Sequence, residues 1–437
     1  MCFKTCKKYL FILLTIGMLN PLTSKGYSVL THQALIDASW EKHLLPLLKQ
    51  QYPGSTDEQL KIAHSYAYGG ALIADMGYYP FGSTYYTDLA HYVRSGDFVV
   101  ALINESENLN EYAFALGALC HYMADKYGHS LATNVVVPLT YPKIKKKFGD
   151  VVTYEDDRLS HSRMEFAFDV LQVARGNYAS STYHDFIGFN VSQPVLERAF
   201  LRTYGQDINT VFGDLPLAIS TFRWSVKSLF PGLMKTAWAL KKDDIKKINP
   251  TATSRTFKYK MSKKAYYEEF GKEREKPTFS NKVFAFIIKI MPKIGPLKAF
   301  KFVPPGPEGE KLFIRSFDTV LVHYHAALAT LSNNKAVTTP QLPDIDFDTG
   351  KPTAMGEYGL TDQTYSDLLL NLQKTKFNNL SAPLKQNILG FYNTADTLAY
   401  AEKQPGQWKK MAIALQQIKT APTVKMDTLK VFHAAQK

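Results

Sequence analysis

Eight residues in the first 165 positions are of types that hold metal ions: His32, Asp75, His91, His121, Asp125, His129, His161 and Glu165. Two of the spacings are informative. His121, Asp125 and His129 follow one another at intervals of four, as do His161 and Glu165, and on a helix residues four apart lie one above the other on a single face. The first three sit inside the apolar run from Tyr112 to Val137, where imidazoles and a carboxylate are costly to bury unless something pairs with them. A lone buried histidine is usually a core group satisfied by a neighbour. Two separate four-residue pairs with a third link through His129 argue for more. Five histidines and three carboxylates exceed the four ligands of one tetrahedral zinc and suit two or three ions sharing a bridge. Imidazole plus carboxylate without thiolate is a set that zinc accepts, as do manganese and iron.

The elements that must carry these residues read as helices. Leu35, Ile36, Trp40, Leu44 and Leu47 recur at helical spacing after His32. Ser55-Thr56-Asp57 offers caps for a helix expected from Glu58 to Met76, with Asp75 at its end. A loop from Gly77 to Gly82 leads to another helical segment bearing His91, and Tyr78, Tyr79 and Phe81 in that loop are read first as packing aromatics. Asn110 is a plausible cap for the His121 helix, whose Gly117, Ala118 and Ala124 allow close neighbours. A Val-, Pro- and Lys-rich loop is expected from Val135 to Asp150, and Asp157 or Ser160 should open the helix of His161 and Glu165. Helical patterns continue over Val195–Tyr204 and Leu215–Ile248 without sustained strand alternation. Residues 27–249 therefore read as an all-α, multi-helix bundle.

The chain has 437 residues, is 45% hydrophobic and carries a formal charge of +13, a composition that excludes disorder as the default. Lys4, Lys7 and Lys8 precede the apolar run Tyr9 to Leu19, and Ser24-Lys25-Gly26 has the small residues of a cleavage site, so residues 1–26 are expected to be a signal peptide, with Tyr27 the mature terminus. Export implies a periplasmic or extracellular setting. It also removes Cys2 and Cys6, leaving Cys120 without an intramolecular partner. Cys120 points away from the 121/125/129 face and is expected to be a buried, inert thiol.

Beyond Pro250 the reading is a basic helical extension over 250–333, a linker or extended surface loop over 334–362 and a helical segment of two or three short helices over 363–437. Lys235 to Lys301 holds eighteen Lys or Arg against six Asp or Glu, a balance that favours anionic partners and allows peripheral membrane contact. The apolar run from Lys282 to Met291 is expected to pack on the body of the protein. A helix is expected from Gly309 to Leu331, with His323 and His325 on different faces as ordinary histidines. Asp344-Ile345-Asp346-Phe347-Asp348-Thr349-Gly350 lacks the distal glutamate of a calcium loop. Nothing in the sequence addresses the oligomeric state.

His-x-x-x-Asp-x-x-x-His followed by His-x-x-x-Glu, with an upstream Asp and His, resembles the zinc-dependent phospholipase C family, whose fold includes single-strand-specific nucleases. The resemblance implies a cluster of two or three zinc ions in an all-α domain. One ion would take Asp75, His91, His121 and the bridging Asp125; a second His129, His161 and Glu165; a third His32, the other oxygen of Asp125, and the amino nitrogen and carbonyl oxygen of Tyr27. Tyr27 stands where the family usually has Trp. The short Asp125 to His129 spacing is similar to that of glycosylphosphatidylinositol-specific phospholipase D, and the C-terminal half shows neither a β-sandwich nor propeller repeats. The activity implied is metal-assisted phosphodiester hydrolysis, with Asp75 as ligand or as general base and a phospholipid as substrate. A nuclease or phosphomonoesterase on the same site, with nucleic acid the less expected substrate, or a metal-stabilised non-catalytic envelope protein are the alternatives.

Overall fold

The structure is a computed structural model that describes residues 29–179, 181–253, 302–333, 342–394 and 396–425. The expected leader, Tyr27 and the 282–291 helix lie outside these residues. The helices that build the site are α1 (Val29–Ser39), α2 (Asp57–Gly70), α3 (Thr84–Tyr92), α4 (Ser95–Asn104), α5 (Leu109–Gly128), α6 (Arg158–Arg175), α7 (Gln193–Tyr204) and α8 (Pro307–Asn333). Among the described residues, β structure is limited to two isolated bridges, Ile345 with Pro352 and Ser381 with Val424. The fold is all-α. No described helix is long and apolar enough to cross a membrane.

Helix α5 is the axis of the fold. Its cap is Asn108, two positions earlier than expected: the Asn108 side chain accepts from the amides of Asn110 and Glu111, both at 3.1 Å. Asn110 is thus already inside the first turn, where its own amide needs a partner. Leu116, Leu119, Cys120 and Ala124 are all fully buried, because α2, α4 and α8 pack around the helix. Gly117 makes the α2 crossing possible, since a Cβ there would stand 2.1 Å from Ala67 O. Tyr324 of α8 donates to Leu116 O at 2.9 Å.

Several local expectations are corrected. The helix expected over Glu58–Met76 ends at Gly70, after two consecutive glycines that are poor helix formers, and Ile73–Tyr78 continues as a 3-10 turn. Its start is as expected: Thr56 accepts from Gln59 N at 3.2 Å and Gln59 Oε1 accepts from Thr56 N at 2.9 Å. The expected 135–150 loop contains two short helices, Asn134–Thr140 and Pro142–Phe148; Pro142 occupies a first turn, where its missing N–H costs nothing. Asp157 is the cap that opens α6, accepting from Ser160 N at 2.7 Å. The expected 215–248 pattern is divided into Leu215–Trp224, a π-helical turn Ser225–Leu229 and Phe230–Ile248. Among the described residues toward the C-terminus there are four helices, Gly359–Lys374, Ala382–Phe391, Asp396–Lys403 and Pro405–Thr420, rather than two or three. The composition of 334–362 suggests a surface loop, yet Ile345, Asp346, Phe347 and Asp348 are buried.

Candidate metal centre

The eight candidate side chains that lie within the described residues come together, each 1% exposed or less. Three compact groups of ligand-type atoms, each within 4.8 Å of one another, are formed by His32, His121 and Asp125; by Asp75, His91 and His121; and by His129, His161 and Glu165. Asp125 lies between several rings: its carboxylate is 3.1 Å from His121 Nε2, 3.5 Å from His91 Nε2 and 3.6 Å from His32 Nε2. Asp75 approaches His91 Nε2 at 3.4 Å. Glu165 lies 2.9 Å from His161 Nε2 and 3.8 Å from His129 Nε2.

Each element has a reason for its position. Helix α5 presents His121 and Asp125 on one face and ends at Gly128, so that His129 opens a π-helical turn, His129–Thr133. The wider turn is one that recurs at functional sites. Asp75 is carried by the 3-10 turn after α2. Helix α6 supplies His161 and Glu165, and one turn further on Asp169 accepts from the amides of Leu30 and Thr31, both at 3.1 Å. That contact caps α1 and places His32, whose ring stacks on His121 with centroids 4.6 Å apart. No local signal in the sequence pairs Asp169 with the start of α1.

The ring orientations are held from behind. His91 Nδ1 is 2.8 Å from Thr87 O and His121 Nδ1 is 2.9 Å from Ala71 O. With Nδ1 donating to a carbonyl behind it, each ring turns Nε2 toward the carboxylates, where that nitrogen could serve a cation as a ligand once it gives up its proton. Phe347 covers these two rings, at 5.1 Å from His91 and 5.7 Å from His121.

The electrostatics are those of an ion site. Burial, with His121 alongside, pushes His32 down to about 3. Burial would also lower His91, but the carboxylates of Asp125 and Asp75 outweigh it and raise the ring to about 9. Burial raises Asp75, against the opposing pull of His91. Burial would raise Asp125 too, yet the His121 and His91 rings hold it well below the usual carboxylate range. Among the described residues, Asp75 Oδ1, His91 Nε2, His121 Nε2, both Asp125 oxygens and His129 Nε2 are buried without a well-formed hydrogen bond. Buried polar atoms are normally satisfied, so this concentration of orphans fits a divalent cation, and the N/O donor set fits zinc.

Other singled-out residues fall elsewhere. Tyr79 packs on Phe222 at 4.7 Å and Tyr78 lies edge-on to His91 at 6.2 Å, whereas Phe81 is exposed. Cys120 is fully buried and its thiol is pushed far up by burial. His323 stacks on Tyr127 and His325 on His43, outside the cluster. Sequence reasoning missed Asp348, whose Oδ1 lies 3.4 Å from His129 Nδ1.

No curated protein and no solved structure matches the chain. The family model for zinc dependent phospholipase C matches residues 31–214, a span that contains all eight clustered residues. Over that span, less than half of the chain, the sequence is similar to the zinc-dependent phospholipase C family.

Proposed function

We propose that this chain is an exported phospholipase C-like enzyme acting on a phospholipid at a cluster of two or three zinc ions. The observation that carries the reading is the set of three buried ligand groups, two of them sharing His121, within the matched segment. Asp75, His91, His121 and Asp125 would hold one ion, and His129, His161 and Glu165 a second. His32 and the second Asp125 oxygen would hold a third with the amino terminus at Tyr27, which the leader's removal would expose. Zinc bound there supplies Lewis acidity toward the phosphodiester and toward water.

The chain's own groups do the rest. Thr87 O and Ala71 O orient His91 and His121, and Asp125 holds the two ligand groups in register. Phe347 shields the imidazoles from bulk water, which strengthens the electrostatics inside. Asp75 Oδ1 is the atom we assign to accepting a proton from water, because it is buried without a well-formed hydrogen bond beside the His91 and His121 rings. Export to the periplasm or the extracellular space, and membrane contact through the basic 235–301 stretch, belong to the same proposal; most of that stretch lies outside the described residues.

Zinc-loaded protein with a verified Tyr27 terminus should be assayed on phosphatidylcholine vesicles, phosphatidylinositol vesicles and single-stranded DNA. Release of a phosphorylated headgroup is expected. Turnover of DNA alone would replace the phospholipase reading with a nuclease. Bound zinc with no turnover of any phosphoester would leave the non-catalytic reading.

A further inference from the structure

We propose that Asp348, far beyond the matched segment, is a positioning residue of the metal centre: it sets the ring of His129 from behind so that Nε2 faces Glu165 and His161. The inference rests on the proposed ligand role of His129. For His91 and His121 the rear nitrogen is held by main-chain carbonyls. His129 has instead a carboxylate there, with Asp348 Oδ1 3.4 Å from Nδ1, while Nε2 lies 3.8 Å from Glu165 Oε1. The compact ligand group comprises His129, His161 and Glu165 without Asp348. The geometry is therefore that of a carboxylate behind a ligating imidazole, which fixes tautomer and ring angle and raises ligand basicity.

Asp348 is itself held by the elements that carry the ligands. Its Oδ2 accepts from Tyr92 OH at 2.7 Å and from Tyr358 OH at 2.5 Å, and Tyr92 adjoins His91. Burial and the charge of Asp348 push both phenols far above their ordinary range, so both remain protonated donors. Tyr358 OH in turn accepts from Glu155 N at 3.2 Å. Asp348 O accepts from Asn134 Nδ2 at 2.6 Å, just after the π-helical turn that begins at His129. Phe347 N donates to His91 O at 3.1 Å. Gly350 closes the loop against the last turn of α5: its φ is +72°, and a Cβ would stand 2.5 Å from Lys126 O. Asp348 is thus placed as firmly as a residue within the helical bundle, through bonds to residues on both sides of the cluster.

The test is zinc binding by the full chain, measured as metal content and by chelator competition, with the absorption of cobalt-substituted protein reporting ligand geometry. Asp348→Ala should weaken one ion by about 10- to 100-fold and alter the cobalt spectrum. Asp348→Asn, which keeps an acceptor toward Nδ1, should recover part of that loss. Should Asp348→Ala fail to fold, Tyr358→Phe removes one of the two donors and should weaken the same ion by several-fold. Unchanged zinc affinity and an unchanged cobalt spectrum in folded Asp348→Ala, or in Tyr358→Phe if it alone folds, would overturn the proposal. Wild-type protein that binds no zinc would instead defeat the ligand assignment on which it rests.

Discussion

Two clusters of aspartate and histidine lie in the same helical region and are built on opposite principles. In the first, Asp37 of α1 accepts from His64 Nε2 at 3.2 Å, from His184 Nε2 at 3.1 Å and from Tyr68 OH. One carboxylate meets three donors, and the account closes with protein groups alone. His64 also stacks on Trp40 with centroids 3.8 Å apart. In the second, Asp125 is surrounded by three imidazoles whose geometry leaves both of its oxygens without a well-formed hydrogen bond, and two of those rings are held by a carbonyl behind them. The first cluster ties α1 to α2 and to the short helix Ser181–Ile187. The second is arranged for a cation. Residue types do not separate the two; hydrogen-bond satisfaction does.

The largest expected consequence of that difference is catalytic. Asp125→Ala should lower phosphodiester turnover on the order of 10³-fold or more and reduce bound zinc, whereas Asp37→Ala should keep zinc content and lose little rate per folded molecule. Equal losses in the two variants would erase the distinction. Metal removal should separate them next. At free zinc a thousandfold above its dissociation constant, one bound ion stabilises the fold by about 4 kcal/mol. A chelator should therefore lower the calorimetric melting temperature of the wild type and have far less effect on Asp125→Ala. A wild-type melting point indifferent to chelator would refute the cation reading of this cluster.

A smaller effect belongs to the satisfied cluster. Burial would raise the Asp37 carboxyl, but hydrogen bonds from His184 and His64 prevail and hold it at about 2, below its ordinary 3.8. A carboxyl depressed on folding contributes stability above its unfolded pKa, and that contribution is lost as the pH falls through the folded one. The difference corresponds to about 2 kcal/mol, present at pH 5 and lost between about pH 4 and pH 2. Urea unfolding of metal-free wild type and Asp37→Asn over that range should show the two curves converging in acid; parallel curves would count against it. The smallest expected effect is at Cys120. Buried and raised far above an ordinary thiol, it should resist iodoacetamide in the native protein and react in denaturant, and Cys120→Ala should leave zinc content unchanged.

How legible the centre was depends on how each residue is carried. His121, Asp125 and His129 share one helix and its end, and His161 and Glu165 share another, so the four-residue spacing exposed both sets. Asp75 was identified, but on the wrong kind of element, because the pattern through Met76 does not register the break after Gly69 and Gly70. His32 was a candidate by residue type, but no spacing tied it to the other ligands, since its position depends on the cap that Asp169 places on α1. Asp348 was read within a loop whose composition suggested exposure. Its partner Tyr92 is 256 positions away, and no periodicity operates over that distance. The alternation Asp344-Ile345-Asp346-Phe347-Asp348 was the available signal, because Ile345 and Phe347 are apolar residues in a polar setting and both prove to be buried.

The sequence by itself determined the all-α class, the ligand chemistry and the two helical ligand pairs, because helical periodicity and side-chain basicity are local properties. Tertiary structure alone decided which carboxylates are satisfied and which are left facing imidazoles. It also decided that a loop beyond the matched domain reaches the centre. The physical reason is that hydrogen-bond satisfaction and burial are properties of a packed neighbourhood. For Asp348 that neighbourhood is assembled from segments hundreds of residues apart, held by contacts such as Tyr122 OH to Pro343 O at 2.7 Å and Ser95 Oγ to Ile345 O at 2.7 Å.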